Sequence, residues 1–112
     1  LVLLSAVLLG RAETTLIKDG KLVGLQNGQV RVEYDLAGGT YSAWSCQDRS
    51  ANLTGASLQV DEFAADAPGL ARTWESAPIK DELGTGRKLV ITASGPGRPD
   101  LILEIALYDD RS

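Results

Sequence analysis

Asn27-Gly28-Gln29-Val30-Arg31-Val32-Glu33-Tyr34-Asp35-Leu36 is the stretch on which the fold turns. Val30, Val32, Tyr34 and Leu36 alternate with Arg31, Glu33 and Asp35, so an extended chain puts the apolar set on one face and the charges on the other. Asn27-Gly28 in front of it suits a tight hairpin turn at positive φ. Lys21 to Gln26 reads as the preceding strand, and Asp19-Gly20 offers a similar break before that.

The same logic extends down the chain. Ala37-Gly38-Gly39 permits a reversal, and Thr40 to Ser45 returns as a strand. Ser57 to Phe63 alternates again, with Leu58 and Val60 opposite Gln59 and Asp61. Pro68-Gly69 is a turn, Ala71 to Pro78 a short strand around Trp74, and Gly84-Thr85-Gly86 a break before a strand over Arg87 to Ser94. The loop Gly95 to Asp100 joins that strand to Leu101–Tyr108 as a hairpin. In that last run Leu101, Leu103, Ile105 and Leu107 line one face while Ile102 and Ala106 soften the other, which predicts a central strand covered on both sides. Neighbours for such a strand are expected to lie outside this chain. Some seven or eight short strands without a helical period predict an antiparallel all-β sandwich, incomplete at its C-terminal end.

Composition excludes more than it identifies. The net charge of −4 is spread along the chain, without the clustered basic face that nucleic acid demands. The absence of His removes His-ligated metal sites and Ser-His-Asp or Cys-His relays from this segment, and neither metal nor cofactor is expected. Cys46 has no internal disulfide partner; it reads as a small buried apolar side chain or as a thiol that pairs elsewhere.

Leu1 to Gly10 reads as the apolar core of a secretory signal peptide, with Gly10-Arg11-Ala12 placing cleavage after Ala12 and a domain from Glu13 to Ser112. The alternative for this run is a buried strand or helix, since it is too short to span a bilayer. The expected address is secreted or periplasmic, with no membrane partner. The sequence has no Met and lacks a basic leader, so the chain reads as a piece of a larger protein.

Few residues invite chemistry. Asp61/Glu62, Asp81/Glu82 and Asp109/Asp110 are adjacent carboxylates, but neighbours on a strand point to opposite faces, so no pair suits acid–base work by itself. Gly84-Thr85-Gly86 lacks the following helix and the Gly-Lys-Ser/Thr ending of a phosphate loop. Tyr34 belongs to the apolar face and Tyr41 and Tyr108 are further aromatics, while Trp44 and Trp74 are the candidates for stacking on a sugar ring, with packing as the alternative. Asn52-Leu53-Thr54 is a formal N-glycan acceptor in a polar connection, relevant only in a eukaryotic source.

With the strands placed, Leu25–Trp44 (LQNGQVRVEYDLAGGTYSAW) and Asp81–Ser112 (DELGTGRKLVITASGPGRPDLILEIALYDDRS) resemble the N-terminal β-sandwich of α-galactosidase and raffinose-synthase-like enzymes, glycoside hydrolase family 36. The resemblance covers most of Leu16–Ser112. It implies a galactose-mutarotase-like supersandwich that precedes a (β/α)8 catalytic barrel, with two catalytic Asp residues on the barrel and none here. The implied partners are that barrel within the same chain, an oligosaccharide substrate and further copies in a homo-oligomer. Related openings occur in family 31 glucosidases and polysaccharide lyases, the latter needing uronate-containing substrates. A stand-alone secreted carbohydrate-binding or adhesion module is the reading of a different class.

Overall fold

The computed structural model describes residues 2–9, 13–45, 51–57, 59–60 and 62–109. Alternation decides most of what forms there. The strands are β1 (Val2–Leu9), β2 (Thr15–Asp19), β3 (Leu22–Gln26), β4 (Val30–Asp35), β5 (Thr40–Ser45), β6 (Ala51–Ala56), β7 (Gln59–Val60), β8 (Phe63–Ala64), β9 (Ala71–Asp81), β10 (Gly84–Ser94) and β11 (Leu101–Tyr108). One sheet runs β1-β11-β10-β9, the other β2-β3-β4-β5-β6, and β7-β8 form a small ribbon. All pairings are antiparallel except β1 with β11. The chain is an all-β sandwich, as the alternation predicts.

The core lies where the inward faces meet. Val23, Leu25, Val32 and Tyr34 of one sheet pack against Leu89, Ile91, Leu103, Ile105 and Leu107 of the other. Five of these nine are at most 1% exposed, so nearly all their apolar surface contributes to stability, at roughly 25 cal/mol per Å² removed from water. A smaller cluster of Ala65, Ala93 and Leu101, with Phe63 and Leu70 against it, closes one end.

The sheets are stitched at both ends by polar groups. At one end the buried Thr14 hydroxyl donates to Leu107 O (3.1 Å), and the Asn27 amide donates to Tyr108 O (3.0 Å). Asp109 accepts from Thr14 N (2.6 Å) and from the Thr85 hydroxyl (3.0 Å). At the other end Arg72 of β9 reaches across the sandwich. Its guanidinium donates to Ala65 O (3.0 Å), Ala67 O (2.9 Å), Leu36 O (3.3 Å) and Ala37 O (2.9 Å), which ties the β4–β5 turn to the connection after β8. Gly39 has φ of 77° in that turn, and a Cβ there would lie 2.6 Å from Arg72 Nε, so the clamp needs a residue without one.

Several local expectations are corrected. The turn at Asn27-Gly28 does not use positive φ at Gly28; Asn27 Oδ1 accepts from Gln29 N and Val30 N (2.9 Å each), a side-chain turn that needs no left-handed residue. Gly84-Thr85-Gly86 is the start of β10, and the reversal falls at Glu82-Leu83. Gly86 serves close approach between strands, since a Cβ there would lie 2.2 Å from Leu107 O. Asn52-Leu53-Thr54, read as part of a polar connection, falls instead within strand β6 (Ala51–Ala56). The predicted strand Ser57–Phe63 is replaced by the short β7 and β8, and Leu58 and Asp61 lie outside the described residues. Cys46 lies outside them as well.

Leu101–Tyr108 is central, as expected, but its neighbours are within the chain. It pairs with β10 on one side and in parallel with β1 on the other, from Val2↔Leu101 to Leu9↔Tyr108. The run that reads as a signal-peptide core is thus the edge strand of this sheet.

Candidate functional site

The outer face of the five-stranded sheet carries the most organised set of polar and aromatic side chains. Val30, Ala43 and Tyr41 pack toward the core, so by alternation Arg31, Glu33, Ser42 and Trp44 take the opposite face. Strand register then lays Thr15, Gln26, Arg31, Trp44 and Ala51 in one row across the sheet. Ile17, Gly24, Glu33 and Ser42 form the adjacent row. Gly24 and Ser42 are small, so Glu33 is flanked by little bulk in its own row.

Arg31 is the centre of this arrangement. Its Nε donates to Glu33 Oε2 (2.6 Å), a second guanidinium nitrogen lies 2.6 Å from the same oxygen, and the third donates to Gln26 Oε1 (3.0 Å). With all three nitrogens engaged, the flat guanidinium sits 5.8 Å from the centre of the Trp44 ring. Arg31 is 33% and Glu33 17% exposed, so water still screens the pair and its worth to stability is small, about 0–1 kcal/mol. What it contributes is order: a half-buried indole, a fixed cation, a carboxylate and a carboxamide share one open face. Aromatic stacking beside fixed hydrogen-bonding groups suits a polyhydroxylated ring, which has an apolar C–H face and polar edges.

Trp74 is placed differently. It stands opposite Ile91 on β10, packs against the main core from its margin, and has Lys18 Nζ 5.6 Å from its ring centre. It faces the interior of the sandwich. The two candidate tryptophans are therefore not brought together, and Trp44 alone is on an open face.

Of the described carboxylates in the adjacent pairs, Asp81 and Asp109 are engaged in holding the fold, while Glu62 and Glu82 are exposed. Asp81 accepts from the Tyr108 hydroxyl (2.5 Å) and from Leu83 N (2.9 Å), and Asp109 is held by Thr14 and Thr85 as above. The Tyr108 contact raises that phenol's pKa, because ionisation would forfeit the bond to Asp81 and set two anions together. Burial raises Tyr34 as well, with the nearby Arg72 pulling the other way. An open groove of about 400 Å³ lies at this end, lined by Glu13, Thr14, Lys80, Thr85, Arg87 and Asp109. It mixes both charge signs, and Asp109 there is already a structural acceptor.

Alternation placed Arg31 and Glu33 on the solvated face without assigning them a role. Their juxtaposition with Trp44 depends on the β4–β5 register, which the Gly38-Gly39 reversal sets. No protein-family profile matches this chain, and no curated protein or solved structure matches it either.

Proposed function

We propose that this chain is the non-catalytic sandwich portion of an exported glycoside hydrolase acting on α-galactosides or related oligosaccharides, and that it contacts saccharide through the Trp44 face. One observation carries the binding part: Trp44 is outward-facing, with Arg31 held beside it, 5.8 Å from its ring centre, by Glu33 and Gln26. In this reading a pyranose stacks its apolar face on the indole, and its hydroxyls reach the polar groups beside Trp44. The enzyme class follows from the sequence resemblance, and export from the leader-like Leu1–Gly10 run. No catalytic residue is assigned, and the chain alone is expected to leave p-nitrophenyl α-galactoside unhydrolysed.

Titration calorimetry with raffinose-type oligosaccharides tests the binding face. Trp44→Ala is expected to weaken binding about tenfold or more, ~1.4 kcal/mol, while Trp74→Phe leaves it unchanged. Equal affinity for wild type and Trp44→Ala would remove the proposal's basis. A stand-alone binding module is the second reading, favoured by a core that closes within the chain with β11 flanked on both sides. A sharp, monomeric thermal transition of the chain together with saccharide binding would support that second reading over the enzyme fragment.

A further inference from the structure

Strand β11 has a neighbour that the export reading removes. β1 pairs with β11 along its whole length, yet β1 is the run expected to leave with a signal peptide cleaved after Ala12. A chain without residues 1–12 presents a β11 edge of eight residues, with one row of backbone N–H and C=O groups turned to water. Leu101, Leu103, Ile105 and Leu107, all at most 5% exposed when β1 is in place, come to stand on the edge strand. A long, apolar edge is a template for strand addition.

We propose that, in the exported form, this vacated edge pairs antiparallel with β11 of a second copy, about a two-fold axis at Ile105. The proposal rests on the export reading above. The sequence of β11 argues for the partner and the register. A two-fold axis perpendicular to the sheet keeps each copy's inward face inward, so residues of like orientation meet. The fullest overlap of an eight-residue strand with itself puts the axis at Glu104 or Ile105. At Glu104, two carboxylates stand directly opposite, which is unfavourable. At Ile105, the two isoleucines meet, Leu103 faces Leu107 of the partner subunit, and Glu104 faces Ala106 of the partner subunit. The only charge on the strand then lies against its smallest side chain, and the two cores join beneath one continuous sheet.

Residues 1–112 behind a start codon and basic leader, expressed in a secretion-competent host, give the material for the test. Mass spectrometry identifies the exported amino terminus, and sedimentation equilibrium gives the oligomeric state. Cleavage after Ala12 with a folded dimer is expected, against a monomer for unexported chain that keeps residues 1–12. Ala106 is half-buried on the outer face, so charge there is tolerated. Ala106→Glu sets a carboxylate against Glu104 of the partner subunit at each of the two symmetric positions, and the dimer should dissociate roughly tenfold more readily; Ala106→Lys should tighten it by a similar factor. A mature chain that is monomeric, unfolded or aggregated without limit overturns the proposal, as does an equal effect of both substitutions. An exported product that retains residues 1–12 overturns the export reading and the proposal with it, whereas a monomeric mature chain overturns the proposal alone.

Discussion

Trp44 and Trp74 each have a basic side chain against the ring, at 5.8 and 5.6 Å, yet they stand on surfaces of opposite kind. Lys18 comes from the edge strand β2 and closes the rim of the sandwich over an indole that packs on the core. Arg31 is held from the side by Glu33 and Gln26, which leaves it fixed beside an indole on the open face. Similar pair geometry therefore says little about role; what anchors the cation, and which face the strand turns inward, separates the two.

The sharpest way to break that comparison is to remove each ring. Trp74→Ala leaves a void at the core margin and should cost about 3 kcal/mol, the low end for such truncations because Trp74 is only half-buried. For a domain of this size that lowers the melting temperature by roughly 12–24 °C. Trp44→Ala should cost less than about 1 kcal/mol of stability while weakening saccharide binding about tenfold or more. Equal melting temperatures for the two variants would show that the face assignment is wrong.

Arg72 is a third cation of the inner kind, and it sharpens the comparison because its partners are four carbonyls rather than a ring. Arg72→Ala strands those oxygens and should destabilise by about 2 kcal/mol or more. Arg72→Lys offers one ammonium where a fork of three nitrogens was needed, and should recover less than half of that loss. Chemical denaturation of the three proteins side by side measures both; full rescue by Lys would mean that charge, and not the planar fork, holds the end of the sandwich.

Arg31→Ala should affect stability by only ~0.5 kcal/mol, since its ion pair is screened. It should still weaken saccharide binding, because the indole loses the group that orders it. Trp44 fluorescence in a Trp74→Phe background should broaden or shift with the substitution. An unchanged spectrum would indicate that Trp44 is held by its strand alone.

The sandwich itself was legible because Val30–Leu36 and Leu101–Tyr108 carry their faces in the sequence, and the reversals at Gly39 and Gly69 fall where Gly marks them, both at positive φ. The errors share a cause. Gly84, Gly86 and Asn27 were read by local turn preference, whereas the structure uses Gly86 for strand approach and Asn27 for a side-chain turn tied to Tyr108 O. Both depend on a strand more than 20 positions away in sequence. The candidate site was half legible: Trp44 was singled out, but Arg31 and Gln26 join it only through the cross-strand register. Arg72 carried no signal, since its acceptors are backbone carbonyls from two turns.

The smallest expected effect concerns the sheet with the Trp74 face, at the bond between Tyr108 and Asp81. The bond stabilises the neutral phenol, so the folded-state pKa stands above the unfolded tyrosine value of about 10. The folded chain then holds a proton that the unfolded chain releases, and stability is complete below about pH 10 and falls as pH rises through the folded value. Tyr34 is raised by burial and acts in the same direction, so one substitution should flatten the alkaline limb only in part. Melting temperatures of wild type and Tyr108→Phe should keep a constant offset between pH 7 and 9, and wild type should drop more steeply above about 10. Tyr34→Phe supplies the control for the buried phenol. Identical alkaline slopes for wild type and Tyr108→Phe would mean that the Tyr108–Asp81 bond is not formed in solution, and would leave the open edge of β9 without that tie to β11.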